Sequence, residues 1–547
     1  MVQQTDVDVV VIGSGAGGLG AAVPLAQAGR KVLVLEQHYL PGGWCHSFPL
    51  GGYRFSPGVH YIGELQPGGR TRQLFEGLGL GEDLTFFELN PDGFDHVIVG
   101  AERFDYPRGK ARLIERLGAR FPGERAGIAR YFDVVTKMTR ELDALMEFAS
   151  AWDVLSLPWK APTLLRWGLR STAALIDSCT RDPLLRAILA AQCGDHGLPP
   201  SLAPAPVHAS VAAHYFEGGY YPRGGGYTIP RAFIRALRRA GGEIKVRTEV
   251  SRILMEGGRA VGVRLADGTE IRAKQVISNA DPHVTYGRLV GETALPAGMR
   301  RKLARTKYST SALSLFMATD LDVRERGFDS GNYWYYAHPD VDAIYRQGQT
   351  PWGLEVKDIP GLFATITTLK DPTKHYNGHH TIEAFAFIAP EAFRVWSGSK
   401  FGERPESYNA VKAELLDRML AGVDKVLPGV RDRAVFAELG TPLSNEHYVA
   451  ATGGNLYGTD KTRWQVGPFG YNPRTPIPGL WMCGASTISH GVVGAMLSGL
   501  VVAKELLGCR FHDLLKQPGK PVTLLSAEAA SARGIAPVEG PEEVVLG

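Results

Sequence analysis

A glycine-rich turn between a short strand and a helix constrains the fold of this chain more than any other feature. Residues 7–12 read VDVVVI, a β-branched run typical of a buried parallel strand. Residues 13–18 (GSGAGG) fit the pattern G-x-G-x-x-G. Residues 19–28 predict a helix, and residues 31–35 predict a second strand that ends at Glu36. This order of strand, glycine turn, helix, strand and acid predicts a unit that binds a dinucleotide.

The glycines of this turn have separate physical roles. Gly13 permits the tight turn, Gly15 lets the backbone approach a pyrophosphate, and Gly18 lets helix and strand pack closely. The free N–H groups at the helix N-terminus attract phosphates. Glu36 has the place of the acid that binds a ribose hydroxyl pair. Pro24 is discordant, because it removes a hydrogen bond inside the helix. The predicted cofactor contacts here are Gly13, Gly15, Ala16, Gly17, Gly18, Glu36 and Gln37.

Charge and cysteine content exclude other kinds of site. The 547 residues carry 60 basic and 56 acidic side chains, so the sequence has no general nucleic-acid signature. Five scattered cysteines without a CxxC pair argue against disulfides or a metal site and fit a reducing, cytoplasmic compartment.

The uncharged stretches 9–29 and 475–503 are long enough to span a membrane. Both are rich in glycine and are better explained as buried strand plus helix, so we expect a soluble protein or a peripheral membrane protein.

Two further segments resemble the remaining parts of an FAD site. A double glycine, Gly42 and Gly43, follows Glu36 closely, as in glutathione-reductase-like and amine-oxidase-like flavoproteins. Residues 476–507 resemble the C-terminal FAD segment of the same proteins, a strand followed by a Gly-Ala pair and a glycine-led helix over 495–507. The resemblance implies FAD contacts at Gly42, Gly43, Gly484, Ala485 and Gly494.

The middle of the chain completes the predicted architecture. Residues 243–254 predict one strand, and 260–265 and 275–278 predict two more around a turn at Asp267-Gly268. By resemblance, Val250 reaches the adenine through its backbone. We therefore expect an α/β fold, a Rossmann-like FAD-binding domain of the glutathione-reductase and amine-oxidase type with an inserted α+β substrate domain. The FAD-binding domain would comprise residues 1–69, 215–285 and 431–510, the substrate domain 70–214 and 286–430, and a mobile C-terminal tail 511–547.

Motifs outside the cofactor segments resemble the phytoene desaturase, carotenoid isomerase and retinol saturase superfamily. The resemblance covers residues 7–508. Residues 221–227 (YPRGGGY) look like a family segment that opens a substrate-side helix, and 276–282 (VISNADP) like its strand end. Residues 57–63 (PGVHYIG) and 441–444 (TPLS) look closest to the retinol saturase and isomerase branch. Ala485 departs from the isomerases, which tend to carry aspartate there.

The resemblance implies chemistry between the flavin and carbon–carbon double bonds of a hydrophobic polyene or isoprenoid lipid. Saturation, cis–trans isomerisation and desaturation stay open, in that order. The sequence shows one dinucleotide fingerprint, so an external electron donor or acceptor is expected unless the reaction is redox-neutral. The predicted proton-transferring residues are His60, Tyr61, His46 and His490, because histidine suits proton transfer near neutral pH. By resemblance, His60 and Tyr61 lie on a strand that leads back to the flavin. His46 follows the double glycine, and His490 lies in the loop before the C-terminal helix, near the flavin. The aromatic residues 333–336 either line an apolar substrate channel or pack as an ordinary strand.

Other functions remain as alternatives at this point. An amine-oxidase-like flavoenzyme would need an aromatic cage that the sequence does not indicate. A prenyl-lipid carrier resembling the Rab GDP-dissociation inhibitors would not use flavin, which the intact glycines and Glu36 oppose. Residues 150–170 mix Trp152, Trp159 and Trp167 with leucines and basic side chains, which fits either contact with a membrane surface or packing as a lid.

Replacing Gly15 with valine should abolish FAD binding, because a side chain there would block the approach of the backbone to the pyrophosphate. The flavin content of the purified variant tests this. Glu36→Gln is the milder comparison, since its amide still accepts one ribose hydrogen bond. Stoichiometric FAD in the Gly15→Val protein would contradict the assignment of the loop.

Overall fold

The computed structural model of the chain describes residues 7–146, 155–348, 350, 357–517 and 519–532. Its strands form two seven-stranded sheets, one three-stranded sheet and one hairpin. In chain order the strands are β1 Val7–Ile12, β2 Val32–Leu35, β3 Phe48–Leu50, β4 Tyr53–Phe55, β5 Thr85–Glu88, β6 Asp95–Val99, β7 Glu102–Tyr106, β8 Tyr220–Pro222, β9 Glu243–Lys245, β10 Val250–Glu256, β11 Arg259–Leu265, β12 Glu270–Ser278, β13 Ser311–Thr319, β14 Asn332–Tyr336, β15 Gly361–Ile366, β16 His380–Ile388, β17 Ala434–Gly440, β18 Leu480–Met482 and β19 Thr523–Ser526.

Helices cover the sheets and fill the segments between them. The α-helices are Ala16–Gln27, Arg70–Gly77, Lys110–Arg120, Arg125–Met146, Leu157–Lys160, Pro162–Trp167, Thr172–Asp177, Pro183–Ala190, Ala205–His214, Thr228–Arg239, Ala297–Arg305, Val341–Gln347, Thr367–Lys370, Glu406–Val426, Pro442–Val449, Gly491–Leu507 and Ala527–Ala532. Residues His283–Gly291 form a π-helix, and the remaining short helices are 3-10 turns. No helix in the described ranges is both long and apolar enough to cross a membrane.

The first sheet is the predicted nucleotide-binding sheet, assembled from three separate parts of the sequence. Strands β18, β12, β1, β2 and β9 run parallel, and β10 and β11 extend the sheet as an antiparallel meander from β12. The single strand predicted over 243–254 is wrong. It is two strands, because β9 pairs with β2 at one edge while β10 pairs with β11 on the other side of β12.

The helices beside this sheet differ from prediction mainly at their N-termini. The first helix begins at Ala16, three residues earlier than predicted, and tolerates Pro24 in its last turn. The helix predicted from residue 495 begins at Gly491. Helix Thr228–Arg239, expected on the substrate side, packs in the same apolar core as helix Ala16–Gln27. Its apolar face therefore belongs to the nucleotide-binding half.

The second sheet has the order β17-β13-β16-β15-β14-β6-β7 and lies in the predicted substrate region. Its one parallel pair joins β6 to β14, which are more than 200 residues apart in sequence. Strand β17 pairs with β13, so residues 434–440 belong to this sheet and not to the cofactor domain that the boundary at 431 predicted. The division into two domains otherwise stays a prediction.

The predicted mobile tail is wrong for the part that the structure describes. Residues Phe511–Leu515 form a 3-10 helix, β19 pairs in parallel with β5, and helix Ala527–Ala532 follows. Ala527 is fully buried against Phe87 in a small apolar cluster. Local composition does not show that β19 pairs with a strand 438 positions earlier, and for this reason the sequence predicted a mobile tail here. Residues 533–547 lie outside the described ranges.

Two glycine-rich helices, Ala16–Gln27 and Gly491–Leu507, approach each other backbone to backbone. A Cβ atom built on Gly499 would lie 2.0 Å from the Gly17 carbonyl oxygen and 2.7 Å from the Ala21 nitrogen. A Cβ on Gly20 would lie 2.8 Å from the Met496 carbonyl oxygen. Glycine is therefore required on both helices by contact distance rather than by backbone conformation.

Replacing Gly499 with alanine should lower the free energy of unfolding by about 1–3 kcal/mol or more, because the methyl group would force the two backbones apart. The midpoint of urea unfolding measures the effect. Gly298→Ala is the matched control, since Gly298 also lies in a helix and its Cβ would meet no atom within 4 Å. That variant should be unchanged or slightly more stable. Equal midpoints for the two variants would contradict the close packing.

Candidate active site

A cleft at the carboxyl end of the first sheet collects six of the thirteen predicted dinucleotide contacts. Gly13, Gly15, Glu36, Gln37, Gly43, Val250 and the proton-transfer candidate His46 line it. Asn279, Ala280, Thr248, His38, Val284 and Arg288 also line it and were not among the predicted contacts. Asn279 and Ala280 belong to the VISNADP motif, so the sequence did contain a signal for them. The sequence did not show that this motif lies against the glycine turn.

Glu36 is held in place at the end of β2. Its Oε2 accepts hydrogen bonds from the Ser14 backbone N–H at 2.9 Å and from the Ser14 hydroxyl at 2.6 Å. Its Oε1 accepts from the His38 backbone N–H at 2.9 Å. These bonds fix the carboxylate beside the glycine turn, where a ribose would lie.

The glycine positions fit a dinucleotide, since side chains there would fill the cradle. A Cβ on Gly15 would lie 2.6 Å from Asn279 Nδ2, and one on Gly17 would lie 2.6 Å from the Gly484 nitrogen. Gly43 has φ of +55°, and its Cβ would come within 3.4 Å of the Gly15 Cα. The first glycine turn, the double glycine and the C-terminal Gly-Ala pair therefore converge on one narrow space.

The other predicted cofactor contacts lie beneath the residues that line the cleft. Gly18 packs against the Gly13 carbonyl, where a Cβ would lie 2.1 Å away. The Gly42 N–H donates to the Ser14 hydroxyl at 3.0 Å, and the Gly484 N–H donates to the Ser498 hydroxyl at 2.7 Å. Ala16 begins the first helix and Gly494 lies in the first turn of helix Gly491–Leu507. Their roles, like those of all the predicted contacts, stay predictions.

Ala485 has a cationic neighbour that the sequence did not indicate. Its carbonyl oxygen accepts a hydrogen bond from the buried amine of Lys461. Burial lowers the pKa of Lys461 to about 7, although the adjacent Asp460 opposes the shift. A partly charged amine therefore faces the segment that resembles the flavin end of an FAD site.

The three candidate histidines are neutral near pH 7. Burial, and then the Lys370 and Lys374 amines, lower the pKa of His60 to about 3. Burial is also the main reason that the pKa falls to about 4 for His46 and to about 3 for His490. A neutral imidazole lacks the extra proton of a general acid, although it still donates one N–H.

One ring nitrogen of each of the three histidines lies near an oxygen atom. His46 Nδ1 lies 2.5 Å from the Gly43 carbonyl oxygen, and His490 Nε2 lies 2.9 Å from the Asp195 carbonyl oxygen. His60 Nε2 lies 3.5 Å from Glu383 Oε2. Because His60 is neutral, this contact is not an ion pair.

His60 and Tyr61 do not lie on a strand, contrary to the expectation. Strand β4 ends at Phe55, and the loop after it returns to the sheet edge only through a bridge between Ile62 and Tyr220. The proline and glycine of the PGVHYIG segment favour such a loop. The loop places both side chains against the second sheet, where their rings lie 5.0 Å and 6.4 Å from the Phe363 ring of β15.

A buried polar band surrounds this loop. We define it as Ser47, Ser56, His60, Tyr61, Asp95, Gln192, Asp195, Tyr221, Asn332, Lys370, Lys374 and Glu383. Lys374 Nζ donates to Glu383 Oε1 at 3.3 Å and to the Tyr221 hydroxyl at 3.0 Å, while the Ser56 N–H donates to the same Glu383 oxygen at 2.9 Å. The Ser47 and Ser56 hydroxyls, 2.8 Å apart, extend the band towards the double-glycine loop.

The other end of the band centres on Tyr61. Its hydroxyl lies 3.0 Å from Asp195 Oδ2 and 3.3 Å from Asp95 Oδ2. Burial and the negative charge of Asp95 raise the pKa of Asp195 to about 8. Lys370 Nζ donates to the His60 carbonyl oxygen at 2.7 Å and to Asn332 Oδ1, and burial lowers its pKa to about 7. Sequence reasoning missed Asp95, Asp195 and Lys370 because each stands alone in sequence.

An apolar cavity lies one aromatic ring from Tyr61. Its lining includes Trp334, Tyr336, Tyr345, Phe363, Phe385 and Phe387. The Phe363 ring is 6.4 Å from the Tyr61 ring and 5.0 Å from the His60 ring. Of the predicted channel aromatics, Trp334 and Tyr336 line this cavity, whereas Tyr333 packs against Phe328 on the other face of β14. We name this space the aromatic cavity.

Two cysteine environments bear on redox or metal chemistry. Cys45 lies beside the double glycine, and burial raises its pKa to about 12, so its thiol is unreactive near neutral pH. Cys193, His196 and His208 place one ligand atom each within 4.8 Å of one another. The Leu198 N–H donates to His196 Nδ1 at 3.3 Å, which puts the proton of a neutral ring on Nε2 and makes that atom a donor rather than a ligand. The expectation of no metal site stays a prediction.

Comparisons with known proteins agree with this geometry. The family described as flavin containing amine oxidoreductase matches residues 16–507. An all-trans-retinol 13,14-reductase from Danio rerio is 31% identical over 533 residues, which cover 93% of this chain and 87% of that protein. A chloroplastic prolycopene isomerase 1 from an Oncidium hybrid cultivar is 28% identical and covers 91% of this chain and 83% of its own length.

Solved structures show the same fold. An engineered putrescine oxidase superposes with a TM-score of 0.62 at 17% sequence identity, covering 92% of this chain and 100% of its own. At this identity the likeness concerns the fold alone. The family match and the retinol reductase relative both span nine-tenths of the chain, and the family match includes the end of the glycine turn from Ala16, the polar band and the C-terminal glycine segment. The chain therefore belongs to the flavin containing amine oxidoreductase family, and its cofactor is a flavin.

Proposed function

We propose that the protein is an FAD-dependent oxidoreductase that saturates a carbon–carbon double bond of a hydrophobic polyene or isoprenoid lipid. The observation that carries the proposal is the Tyr61 hydroxyl, held between two carboxyl groups and one ring away from the aromatic cavity. An apolar cavity beside a proton donor suits addition of hydrogen to a double bond. The retinol reductase and prolycopene isomerase relatives are named for polyene chemistry, which supports this substrate class.

FAD is the flavin that the cleft favours. The glycine turn and the N-terminus of helix Ala16–Gln27 would hold the pyrophosphate, Glu36 the ribose, and Val250 the adenine. A mononucleotide would leave the Glu36 end of this cleft without a partner. When bound, FAD supplies hydride exchange with the substrate double bond.

The aromatic cavity marks where part of the polyene would pack; its volume of about 20 Å³ is too small for a whole polyene, so the aromatic side chains must move apart to admit it. Its aromatic walls bind apolar chains by burial and exclude water from the reacting carbon atoms. The band and cavity meet at Phe363, so a substrate in the cavity would lie near Tyr61. Tyr61 would donate its hydroxyl proton to one carbon atom of the double bond. Burial raises the pKa of Tyr61 well above 10, so this proton is present at every physiological pH.

Isomerisation is the second candidate reaction, favoured by the prolycopene isomerase relative. It would need the same cavity and no net electrons. For saturation an external electron donor must reduce the flavin, because the chain offers one dinucleotide fingerprint and FAD would occupy it.

We also propose that the protein meets a lipid surface through residues 155–170. Leu155, Trp159, Leu165 and Leu169 are 62%, 82%, 60% and 58% exposed. Lys160, Arg166 and Arg170 are exposed beside them and would lie at the level of anionic headgroups. Trp167 is buried and anchors the segment, whereas Trp152 lies outside the described residues. An apolar substrate could enter from the bilayer at such a contact.

Mass spectrometry of the reaction products should show a polyene that has gained two hydrogen atoms. The flavin-loaded protein is reduced with dithionite without oxygen and incubated with all-trans-retinol or, separately, prolycopene; a parallel sample receives NADPH instead of dithionite. A product of unchanged mass and shifted absorption would indicate isomerisation. The Gly15→Val protein without flavin is the control. Failure of the loaded wild-type protein to change either polyene would refute the proposed function.

Trp159→Glu should weaken binding to vesicles of phosphatidylcholine and phosphatidylglycerol about tenfold, because one large apolar side chain would be lost from the bilayer contact. Co-sedimentation with the vesicles measures the binding. Trp464→Glu is the matched control, since Trp464 is 65% exposed elsewhere on the surface. Equal binding of both variants would show that residues 155–170 do not carry the contact.

A further inference from the structure

The Tyr61 hydroxyl faces two carboxyl groups with a single proton. Its oxygen lies 3.0 Å from Asp195 Oδ2 and 3.3 Å from Asp95 Oδ2. A phenol hydroxyl donates one hydrogen bond, so only one of the two carboxyl groups receives it. Two ionised carboxylates that share one hydroxyl in the interior would repel each other. The arrangement therefore favours a state in which one of the two acids carries a proton and donates it to the Tyr61 oxygen.

The surroundings decide which acid is protonated. Asp95 accepts a hydrogen bond from Asn332 Nδ2 at 2.9 Å and another from Gln192 Nε2 at 3.0 Å, and the Lys370 amine also favours its ionised form. Tyr61 is the only side-chain hydrogen-bond partner of Asp195 among the described residues. Burial and the charge of Asp95 raise the pKa of Asp195 to about 8. Asp195 is therefore the protonated member near neutral pH.

The other ionisable groups near Asp195 do not supply a compensating positive charge. Those that interact with it electrostatically are the phenols of Tyr61, Tyr215, Tyr336 and Tyr457, the carboxyl of Asp95 and the thiol of Cys193. His490, which contacts the Asp195 carbonyl, is neutral. A protonated Asp195 is the charge state that this environment tolerates.

We propose that Asp195 is the proton reservoir of Tyr61, in a chain that runs from the Asp195 carboxyl through the Tyr61 hydroxyl to the substrate. The proposal rests on the proposed function. One carbon of the double bond would gain a hydride with both its electrons, which is the chemistry that a bound, reduced flavin would supply and that an external electron donor would renew. The other carbon gains the Tyr61 hydroxyl proton, and the Tyr61 oxygen takes the proton of Asp195. Asp195 is left ionised and recovers its proton from water.

Tyr215 and Asp95 prepare this transfer. The Tyr215 ring stacks on the Tyr61 ring at 4.1 Å with 11° between the planes and fixes its orientation. Asp95 accepts the Tyr61 hydrogen bond in the resting state, and rotation about the C–O bond turns that hydrogen towards the substrate. Asp195 acts through Tyr61 and is in this sense a positioning residue, while Tyr61 touches the reacting carbon.

Infrared spectroscopy tests the proton transfer from Asp195 to Tyr61 without catalytic turnover. The wild-type protein should show a carbonyl-stretch band of a protonated carboxyl at pH 7 that disappears as the pH rises through about 8. Asp195→Asn should lack this band, and Tyr61→Phe should shift it because the hydrogen bond to the Tyr61 oxygen is lost. Asp133→Asn, an exposed aspartate away from the band, should leave it unchanged. A wild-type protein without such a band at pH 7, or an Asp195→Asn protein that keeps it, would overturn the proposal.

Kinetics then tests the role of Asp195. With substrate, Asp195→Asn should saturate the double bond about 100-fold or more slowly, within the range of general acid catalysis, while flavin binding and reduction by dithionite stay unchanged. The wild-type rate should fall as the pH rises through about 8, because the reservoir then loses its proton, and this fall should be absent in Asp195→Asn. Asp195→Glu should recover part of the rate and of the pH dependence. An Asp195→Asn protein with the wild-type rate and pH profile would overturn the proposal.

The two proposals fail separately. If the wild-type protein converts no polyene, the infrared band still tests the Asp195–Tyr61 chain, and only the proposed function falls. If the wild-type protein saturates the polyene but shows no protonated carboxyl, the proposed proton transfer from Asp195 to Tyr61 is wrong, while the proposed function is retained. If Asp195→Asn does not fold, the band shift in Tyr61→Phe gives the result, since phenylalanine keeps the ring that stacks on Tyr215.

Discussion

The backbone contact between helices Ala16–Gln27 and Gly491–Leu507 is the constraint on which the cofactor cleft depends. The Gly499 and Gly17 backbones are so close that no side chain fits between them. The same contact brings Gly484 against Gly17 and fixes the C-terminal Gly-Ala pair beside the first glycine turn. Segments almost 470 residues apart thereby form one site, and the paired parallel strands β1, β12 and β18 lie beneath it.

The polar band is the second feature that organises the interior. Lysine and glutamate are rarely buried, because removing a charge from water is costly unless it is paired. Lys374 pairs with Glu383 Oε1, and the Tyr221 hydroxyl and the Ser56 N–H add one hydrogen bond to each partner, whereas Glu383 Oε2 has no hydrogen-bond partner among the described residues. Such a network between an apolar cavity and a cofactor cleft concentrates shifted pKa values where proton transfer would occur.

Much of the nucleotide-binding half follows from local pattern. The strand β1, the glycine turn, the helix after it and the acid at position 36 all have short-range signals, and the structure places them as predicted. In the second sheet, residues 311–317, 363–368 and 381–388 are strand-like in sequence, and the structure has β13, β15 and β16 there with limits that differ by up to two residues. The strand predicted over 243–254 failed because a local pattern does not show that β9 and β10 pair with different partners.

The sequence by itself determined the dinucleotide turn, the kind of fold and the family resemblance, because each is carried by short contiguous motifs, although the motifs lie far apart along the chain. Only the tertiary structure decided that Asp95, Asp195 and Lys370 surround Tyr61, and that residues 523–532 complete a sheet with β5. Long-range pairing of strands and burial of single charged side chains are set by which surfaces meet in the folded chain. A lone aspartate has no periodicity or motif that would reveal its partner, so its chemistry becomes readable only when the distances are known.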